Sequence, residues 1–253
     1  ILTIDGGVHP YVGVNLESGA MLSGVDLSDA FLRSADLTGA TMVATNLTGA
    51  SLRDVDLTTA NMESVILTNA DLRRANLPNA ILNFATLTNA TLSSANLDSV
   101  DLVSAIINGA SLSRATMDHA NLRFANLETA KVRFATLTDA DLTGASLVGT
   151  IFEGSDLRRA SMDNTNLTNA NLTNTTLTNA DMDQADLTGA NLTGATMAGV
   201  YLGDATVINA SLNKATLTSA WLDNANLSST TLRDANLTNA SLQNTNLSDA
   251  NLT

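Results

Sequence analysis

The side chains that could carry out catalysis or bind a metal are few and widely separated. The chain has two histidines, His9 and His119, and no cysteine, so it has neither a thiolate nucleophile nor a thiolate metal site. Aspartates are frequent, but carboxylates that recur at the interval of a repeat indicate architecture rather than a tuned acid and base. Gly144, Gly149 and Gly154 recur in the same way, unlike the glycines of a phosphate-binding loop. We therefore predict no catalytic, cofactor-binding or metal-binding residues, and a protein that is not an enzyme.

The element that positions every side chain is a five-residue repeat that runs without a break from residue 20 to residue 253. A bulky apolar residue occupies every fifth position from Leu22 to Leu252, 47 times in succession, and 37 of these residues are Leu. Two positions earlier stands a small residue, which is Ala in 35 of the 47 units. Neither a helix, with apolar spacings of three and four, nor a flat strand, with a spacing of two, has this period.

A fixed repeat period is typical of a solenoid, in which each unit covers the apolar face of its neighbour. If the small residue and the Leu both point inward on a short extended segment, the remaining residues of the unit must turn the chain. Gly, Asn and Asp commonly follow the Leu, as in Ala35-Asp36-Leu37-Thr38-Gly39, and they suit turns. The periodicity thus predicts one side of a solenoid per five residues.

This pattern resembles the pentapeptide-repeat family, and the resemblance covers about nine tenths of the chain. It implies an all-β fold, a right-handed quadrilateral parallel β-helix with the Leu and Ala side chains inside. Residues 20–253 would then form one continuous domain of about twelve coils, a rod roughly 55 Å long. No loop interrupts the repeat and no helical C-terminal cap follows it.

The two ends of the chain differ from each other. Residues 1–19 are out of repeat register, and we expect them to form an N-terminal cap or strand over the first coil, because an open solenoid end presents unpaired backbone groups. The repeat runs in frame to the last residue. We therefore expect the last coil to contact another chain. Its candidate residues are Asn246, Leu247, Asn251, Leu252 and Thr253.

The compartment is left open between the outside of a bacterial cell, the periplasm and the cytoplasm. No apolar run is long enough to span a bilayer. The chain starts at Ile1 rather than Met, which favours a processed, exported protein.

With four sides per coil, residues twenty apart stack in columns, and the charges separate by side. The basic face, centred on Leu32, Leu52 and every twentieth residue after them, carries nine of the twelve basic residues and only four acids. Its candidate contact residues are Arg33, Arg53, Arg73, Arg74, Arg114 and Arg133. The acidic face is centred on Leu22, Met42 and every twentieth residue after them, and its C-terminal half carries Asp141, Asp163, Asp181, Asp183, Asp204 and Asp223. These charges indicate a partner of opposite sign or are simply solvated.

The acidic face also carries exposed apolar residues. Phe84 and Phe124 share a column, Val103 lies near them, and Tyr201 and Trp221 stack in adjacent coils. An apolar patch along one face indicates contact with another chain, and Trp and Tyr are favoured interface anchors. We therefore predict a lateral interface at Phe84, Phe124, Val103, Tyr201 and Trp221.

These features favour a structural or scaffolding protein that acts through protein contacts along its faces, with self-association from the side or end to end into filaments. The alternative comes from the resemblance, because some family members protect type II topoisomerases such as gyrase by presenting an acidic rod in place of duplex DNA. A duplex 55 Å long carries about 32 charges, whereas this chain has a net charge of −13. Ice binding through stacked Thr residues is a minor alternative. Net acidity makes nucleic acid an unlikely partner.

Overall fold

The computed structural model describes residues 2–3, 6–7 and 16–253. Each residue directly before an inward apolar residue forms a parallel bridge with the residue twenty positions later, from Met21 with Thr41 to Thr231 with Asn251. One coil therefore takes twenty residues, and the five-residue repeat divides it into four sides. No residue in the described part of the chain is helical. The prediction of an all-β, four-sided parallel solenoid is confirmed.

In the described part of the chain, two segments form strands of two residues each. β1 is Leu2–Thr3 and β2 is Ala30–Phe31, and they pair antiparallel with Leu2 opposite Phe31 and Thr3 opposite Ala30. Phe31 also bridges Ser51 of the next coil, so β1 occupies the edge of the first coil that no later coil covers. The predicted cap at 1–19 stays a prediction, because most of that segment lies outside the described residues.

Each corner of the coil is a β-turn whose third residue is left-handed. The carbonyl of the inward residue accepts a hydrogen bond from the N–H three residues later, as from Val25 to Leu22 at 3.1 Å. Every fifth residue from Gly19 to Asp249 has a positive φ, which is the type II geometry that favours Gly and Asn. Phe84, Phe124 and Phe134 also occupy such corners, where a bulky side chain costs roughly 1–2 kcal/mol.

Along the straight sides, polar side chains bond to their own backbone. The Asp36 carboxylate accepts the Thr38 N–H at 3.0 Å, and the Asn46 side chain accepts both the N–H and the hydroxyl of Thr48. These Asx-type bonds explain why Asp or Asn so often precedes the inward residue and Thr so often follows it. These bonds fix the outward polar side chains against the backbone of their own side.

The core is a single column of Leu and Ala side chains. Leu22 to Leu232 are almost wholly shielded from solvent, and Phe152 and the methionines occupy Leu positions in the same column. Where Thr replaces Ala, its hydroxyl donates to a backbone carbonyl, as Thr45 does to Leu22 at 2.7 Å and Thr150 does to Leu127 at 2.7 Å. The hydroxyls at these inward positions are thus satisfied, and Thr in place of Ala adds no unpaired polar atom to the core.

We expect Leu142→Ala to lower the free energy of unfolding by about 2–5 kcal/mol, because it opens a cavity in a column whose neighbours cannot collapse into it. Leu142 is fully buried, whereas Leu252 is 58% exposed. The matched variant Leu252→Ala should change stability by about 0.5 kcal/mol or less. Urea unfolding followed by circular dichroism gives both values, and equal losses would contradict an inward Leu column.

Candidate protein-interaction surfaces

The bridges that build the coils also align the surface residues in columns. Phe84 and Phe124 lie in one corner column with Ser104 between them, and they are 56% and 58% exposed. Val103 is half-buried in the adjacent column and donates its N–H to Asn83 at 2.8 Å. Tyr201 and Trp221 are direct bridge partners several coils further along. The residues predicted to form one lateral interface are therefore placed in two separate clusters on the acidic face.

The first cluster extends around a corner of the coil onto the neighbouring side, whereas the sequence analysis considered one face at a time. Ile66 and Ile106 lie on the neighbouring side, directly after this corner, and both are exposed. A signal for them was present, since most units have a polar residue directly before the inward one. We call this cluster the corner patch, and its members are Ile66, Ile81, Phe84, Val103, Ile106 and Phe124.

Phe124 is held in place by contacts of its ring with Gly144 and Arg123. A Cβ added at Gly144 would lie 2.7 Å from two ring carbons of Phe124, so the ring lies against the bare backbone of the next coil. The guanidinium of Arg123 lies 5.6 Å from the ring centroid and makes a cation–π contact with the ring. Phe134 lies against Gly154 in the same way on the opposite side of the rod. Phe124 is thus a rigid exposed aromatic.

The second cluster combines aromatic rings with unpaired acids. The Tyr201 and Trp221 rings stack with centroids 6.1 Å apart and an interplanar angle of 24°. Around them lie carboxylates that form no ion pair with any residue in the described part of the chain. We call this cluster the aromatic–acidic strip, and its members are Tyr201, Trp221, Asp163, Asp181, Asp183, Asp204 and Asp223.

Asp183 shows the electrostatic cost of this crowding. Burial raises the pKa of its carboxyl above the ordinary value, and the nearby charges of Asp181, Asp163 and Asp204 raise it further, although a hydrogen bond from the Gly203 N–H opposes the shift. That bond is 2.7 Å long. The ionised form of Asp183 is therefore disfavoured in the fold.

The basic face is less positive than its residue count predicts, because most of its few acids lie against its arginines. Arg73 makes a bidentate contact with Asp71, and Arg74 makes one with Asp54, at 2.6–2.8 Å. In addition, Arg53 approaches Asp71 at 3.8 Å, and Arg133 approaches Glu153 at 3.3 Å.

Two of the candidate arginines form no ion pair among the described residues. Arg33 lies over the ring of Phe31, at 5.8 Å from its centroid, and Arg114 occupies a corner with positive φ. The hydrogen bond from Arg74 lowers the pKa of Asp54. The candidate residues Arg33, Arg53, Arg73, Arg74, Arg114 and Arg133 thus form a mixed-charge surface rather than a bare cationic ladder.

The candidate end contact lies in the last coil, which is far more exposed than the coils before it. Leu252 and Thr253 are exposed and Leu247 is half-buried, whereas Leu227 and Leu232 are buried. Asn246 donates its N–H to Ala225 at 3.0 Å and Asn251 to Thr230 at 2.8 Å. The repeat geometry thus continues to the end of the sequence, and the end contact stays a prediction.

The other chemistry considered from the sequence gains no support. No cluster of three or more His, Asp or Glu residues that could hold a metal occurs among the described residues. His119 occupies a corner with φ of 60°, and His9 lies outside the described residues. Thr176, Thr196 and Thr216 are consecutive bridge partners, but the ion pair of Arg158 with Asp156 interrupts their side of the rod. We therefore do not propose ice binding.

Comparison with known proteins decides the family. The family model for pentapeptide repeats matches residues 18–54, 56–93, 95–133, 135–174, 165–204, 190–228 and 210–249. The chain belongs to the pentapeptide-repeat family. This family forms right-handed quadrilateral β-helices and consists generally of non-enzymatic repeat proteins. No curated protein matches this pentapeptide-repeat chain.

Solved structures of other pentapeptide-repeat proteins are similar to it. HetL, involved in heterocyst differentiation regulation in the cyanobacterium Nostoc sp. strain PCC 7120, is 31% identical over 87% of each chain, with a TM-score of 0.37. QnrB1, a plasmid-mediated fluoroquinolone resistance protein, is 19% identical over 75% of this chain and 92% of its own, with a TM-score of 0.51. The likeness to QnrB1 shows the fold alone. No helix in the described residues is long and apolar enough to cross a membrane.

The pKa directions predict opposite effects for two aspartates. Because the folded-state pKa of Asp183 is raised, its ionised form destabilises the fold as pH rises through the carboxyl range. Asp183→Asn should therefore raise Tm at pH 7 and leave it unchanged at pH 2, where the carboxyl is protonated in both states. Asp54 has a pKa lowered by the hydrogen bond from Arg74, so Asp54→Asn should lower Tm at pH 7 and have a smaller effect at pH 2, where more of the carboxyl is protonated. Calorimetry at both pH values measures these shifts, and the same sign for both variants at pH 7 would contradict the assignment.

Proposed function

We propose that this protein is a non-enzymatic scaffold that binds protein chains along the sides of a rigid rod, and that the corner patch is where two copies associate laterally. The observation that carries this proposal is a group of five exposed apolar residues and the half-buried Val103 around one corner. Contiguous exposed apolar surface on a soluble protein marks an interaction site. Because the patch carries only one nearby cation, Arg123, it is suited to an identical apolar surface.

The backbone supports the same conclusion. Phe84 and Phe124 occupy corners with φ of 61° and 58°, positions that favour Gly or Asn. Phenylalanine there is unfavourable for the backbone and exposes its ring to water. A residue that is costly on both counts indicates a selected role outside the fold. The contact of Phe124 with Gly144 further reduces the side-chain entropy that binding would cost.

The test is the double variant Phe84→Ser, Phe124→Ser, since Ser occupies the same corner column at Ser64 and Ser104. Sedimentation velocity should show the wild type forming dimers as concentration rises, and the double variant should require at least a tenfold higher concentration. Phe134→Ser is the matched control, because Phe134 has the same corner geometry and the same contact with a glycine on the other side of the rod. A wild type that stays monomeric at high concentration, or an equal effect of the control, would refute lateral association through this patch.

End-to-end association is a second part of the proposal. The exposed Leu242 and Leu252 become buried once another coil lies on them, and in the proposal that coil belongs to a second molecule. Filaments formed in this way depend on the last coil and not on the corner patch. Electron microscopy of the corner-patch double variant separates the two modes of association.

Binding to a type II topoisomerase is the alternative function, and the observation in its favour is the unpaired acidic strip at the C-terminal half of the rod. The strip covers one side, whereas the charge of the basic face is only partly compensated by its four acids. A gyrase supercoiling assay with a quinolone discriminates between the functions. The scaffold proposal predicts no effect of the purified protein on supercoiling or on inhibition, and dose-dependent protection would favour the alternative.

A further inference from the structure

The aromatic–acidic strip differs from Phe31 and Phe124 in what lies over its rings. Phe31 and Phe124 each have a guanidinium of this chain within 6 Å, from Arg33 at 5.8 Å and Arg123 at 5.6 Å. Among the described residues, Tyr201 and Trp221 have no such cation, although they are 44% and 54% exposed. The rings contact each other instead. Carboxylates surround this aromatic pair, and both the ring faces and the carboxylates attract a cation.

A notch in the surface adjoins this pair at Gly203. Of the glycines in residues 16–253, Gly203 is the one without a positive φ, so its backbone does not require glycine. Its place is two positions after Tyr201, where other coils carry an outward side chain such as Thr143 or Asp183. The missing side chain therefore leaves a gap in this column of the face, two positions along the chain from Tyr201.

The floor of the notch is a carboxylate. Asp183 lies one coil before Gly203 in the same column, and its Oδ1 accepts the Gly203 N–H at 2.7 Å. A Cβ at Gly203 would lie 3.0 Å from this Oδ1 and 3.6 Å from Oδ2, so both oxygens border the gap. Asp181 and Asp204 carry further negative charge close by. The notch thus has an acidic floor and lies on the same face as the stacked Tyr201 and Trp221 rings.

We propose that the notch at Gly203 binds an arginine side chain presented by another protein, with the guanidinium stacked on Tyr201 and paired with Asp183. This inference rests on the proposed scaffold function, because it names the chemistry of a partner. Arginine fits because its planar group both stacks on an aromatic ring and pairs with a carboxylate through two N–H groups. The charges of the strip complement such a partner and attract it over several ångströms.

A second copy of this chain is a poorer occupant. Seven of its arginines already lie within 4 Å of a carboxylate of their own chain, namely Arg53, Arg73, Arg74, Arg123, Arg133, Arg158 and Arg159. Arg33 lies over Phe31. Moving such an arginine to the notch would break one contact to form another. Arg114 and Arg233 are the two arginines that form no such contact among the described residues. The occupant we propose is therefore a different protein, and occupation by a second copy is an outcome of the test.

The test uses the full chain and a peptide of four Arg-Gly repeats. Trp221 is the only tryptophan, so its fluorescence reports directly on the site, and anisotropy of a labelled peptide gives the affinity of each variant. Tyr201→Thr, Gly203→Ser and Asp183→Asn should each weaken binding about fivefold or more, the effect of losing about 1 kcal/mol. All three residue types occur at equivalent positions of other coils, and circular dichroism confirms that the variants fold.

The controls separate the notch from general acidity. Ile81 lies in the column of Tyr201, and Glu63 lies on the same face. The variants Ile81→Ser and Glu63→Gln should both bind the peptide as the wild type does. The peptide with four Lys-Gly repeats should bind at least about fivefold more weakly. Equal binding by all variants, or equal binding of the two peptides, would overturn the proposal. Wild-type self-association that Tyr201→Thr abolishes would overturn it too, because the occupant would then be a second copy.

Failure of the scaffold function has a different signature. The corner-patch double variant leaves the notch intact and should bind the arginine peptide normally. A monomeric wild type that still binds the peptide at the notch refutes lateral self-association and upholds this inference.

Discussion

The fold depends on a backbone ladder that closes only every twenty residues. From Leu22 to Leu232, the N–H of each inward Leu donates to a carbonyl nineteen residues later at 2.6–2.9 Å, as Leu22 does to Thr41 and Leu137 does to Asp156. These bonds are made between coils, whereas the turn bonds at the corners are made within them. Two neighbouring coils therefore stabilise each other, and a single coil has little structure of its own. The inward Leu and Ala residues supply the apolar burial that holds the ladder closed.

This arrangement separates the residues that make the fold from those available for function. Two of every five residues point inward and are nearly constant, one forms the corner, and the others face solvent. Outward residues at the bridge positions vary from Asp181 to Trp221 without changing the backbone pattern. Binding surfaces are consequently assembled by choosing side chains in columns, at a spacing of about 4.8 Å. The corner patch and the aromatic–acidic strip are two surfaces assembled in this way.

Much of this could be predicted from the sequence, because period five is incompatible with helices and flat strands. The inward Leu residues, the turn positions and the stacking of Tyr201 on Trp221 all followed from counting by fives and twenties. The number of sides required the resemblance to a known family, since periodicity alone specifies sides and not how many close a coil. Ile66 and Ile106 were missed because the sequence was read face by face, whereas a corner brings adjacent faces together. The neutralisation of Arg73 and Arg74 was missed because it depends on rotamers that reach Asp71 and Asp54.

The claim on which every column depends is that residues twenty apart are direct neighbours. The chain has no cysteine, so a pair introduced at Thr196 and Thr216, which are bridge partners, is the only thiol pair present. Their backbones should lie about 4.8 Å apart, within the range that a disulfide spans. Mild oxidation should join this pair within one molecule, as mass spectrometry of a tryptic digest would show, and should leave a pair at Thr196 and Thr206 unjoined within the molecule. Intramolecular joining of the second pair and not of the first would contradict the four-sided coil.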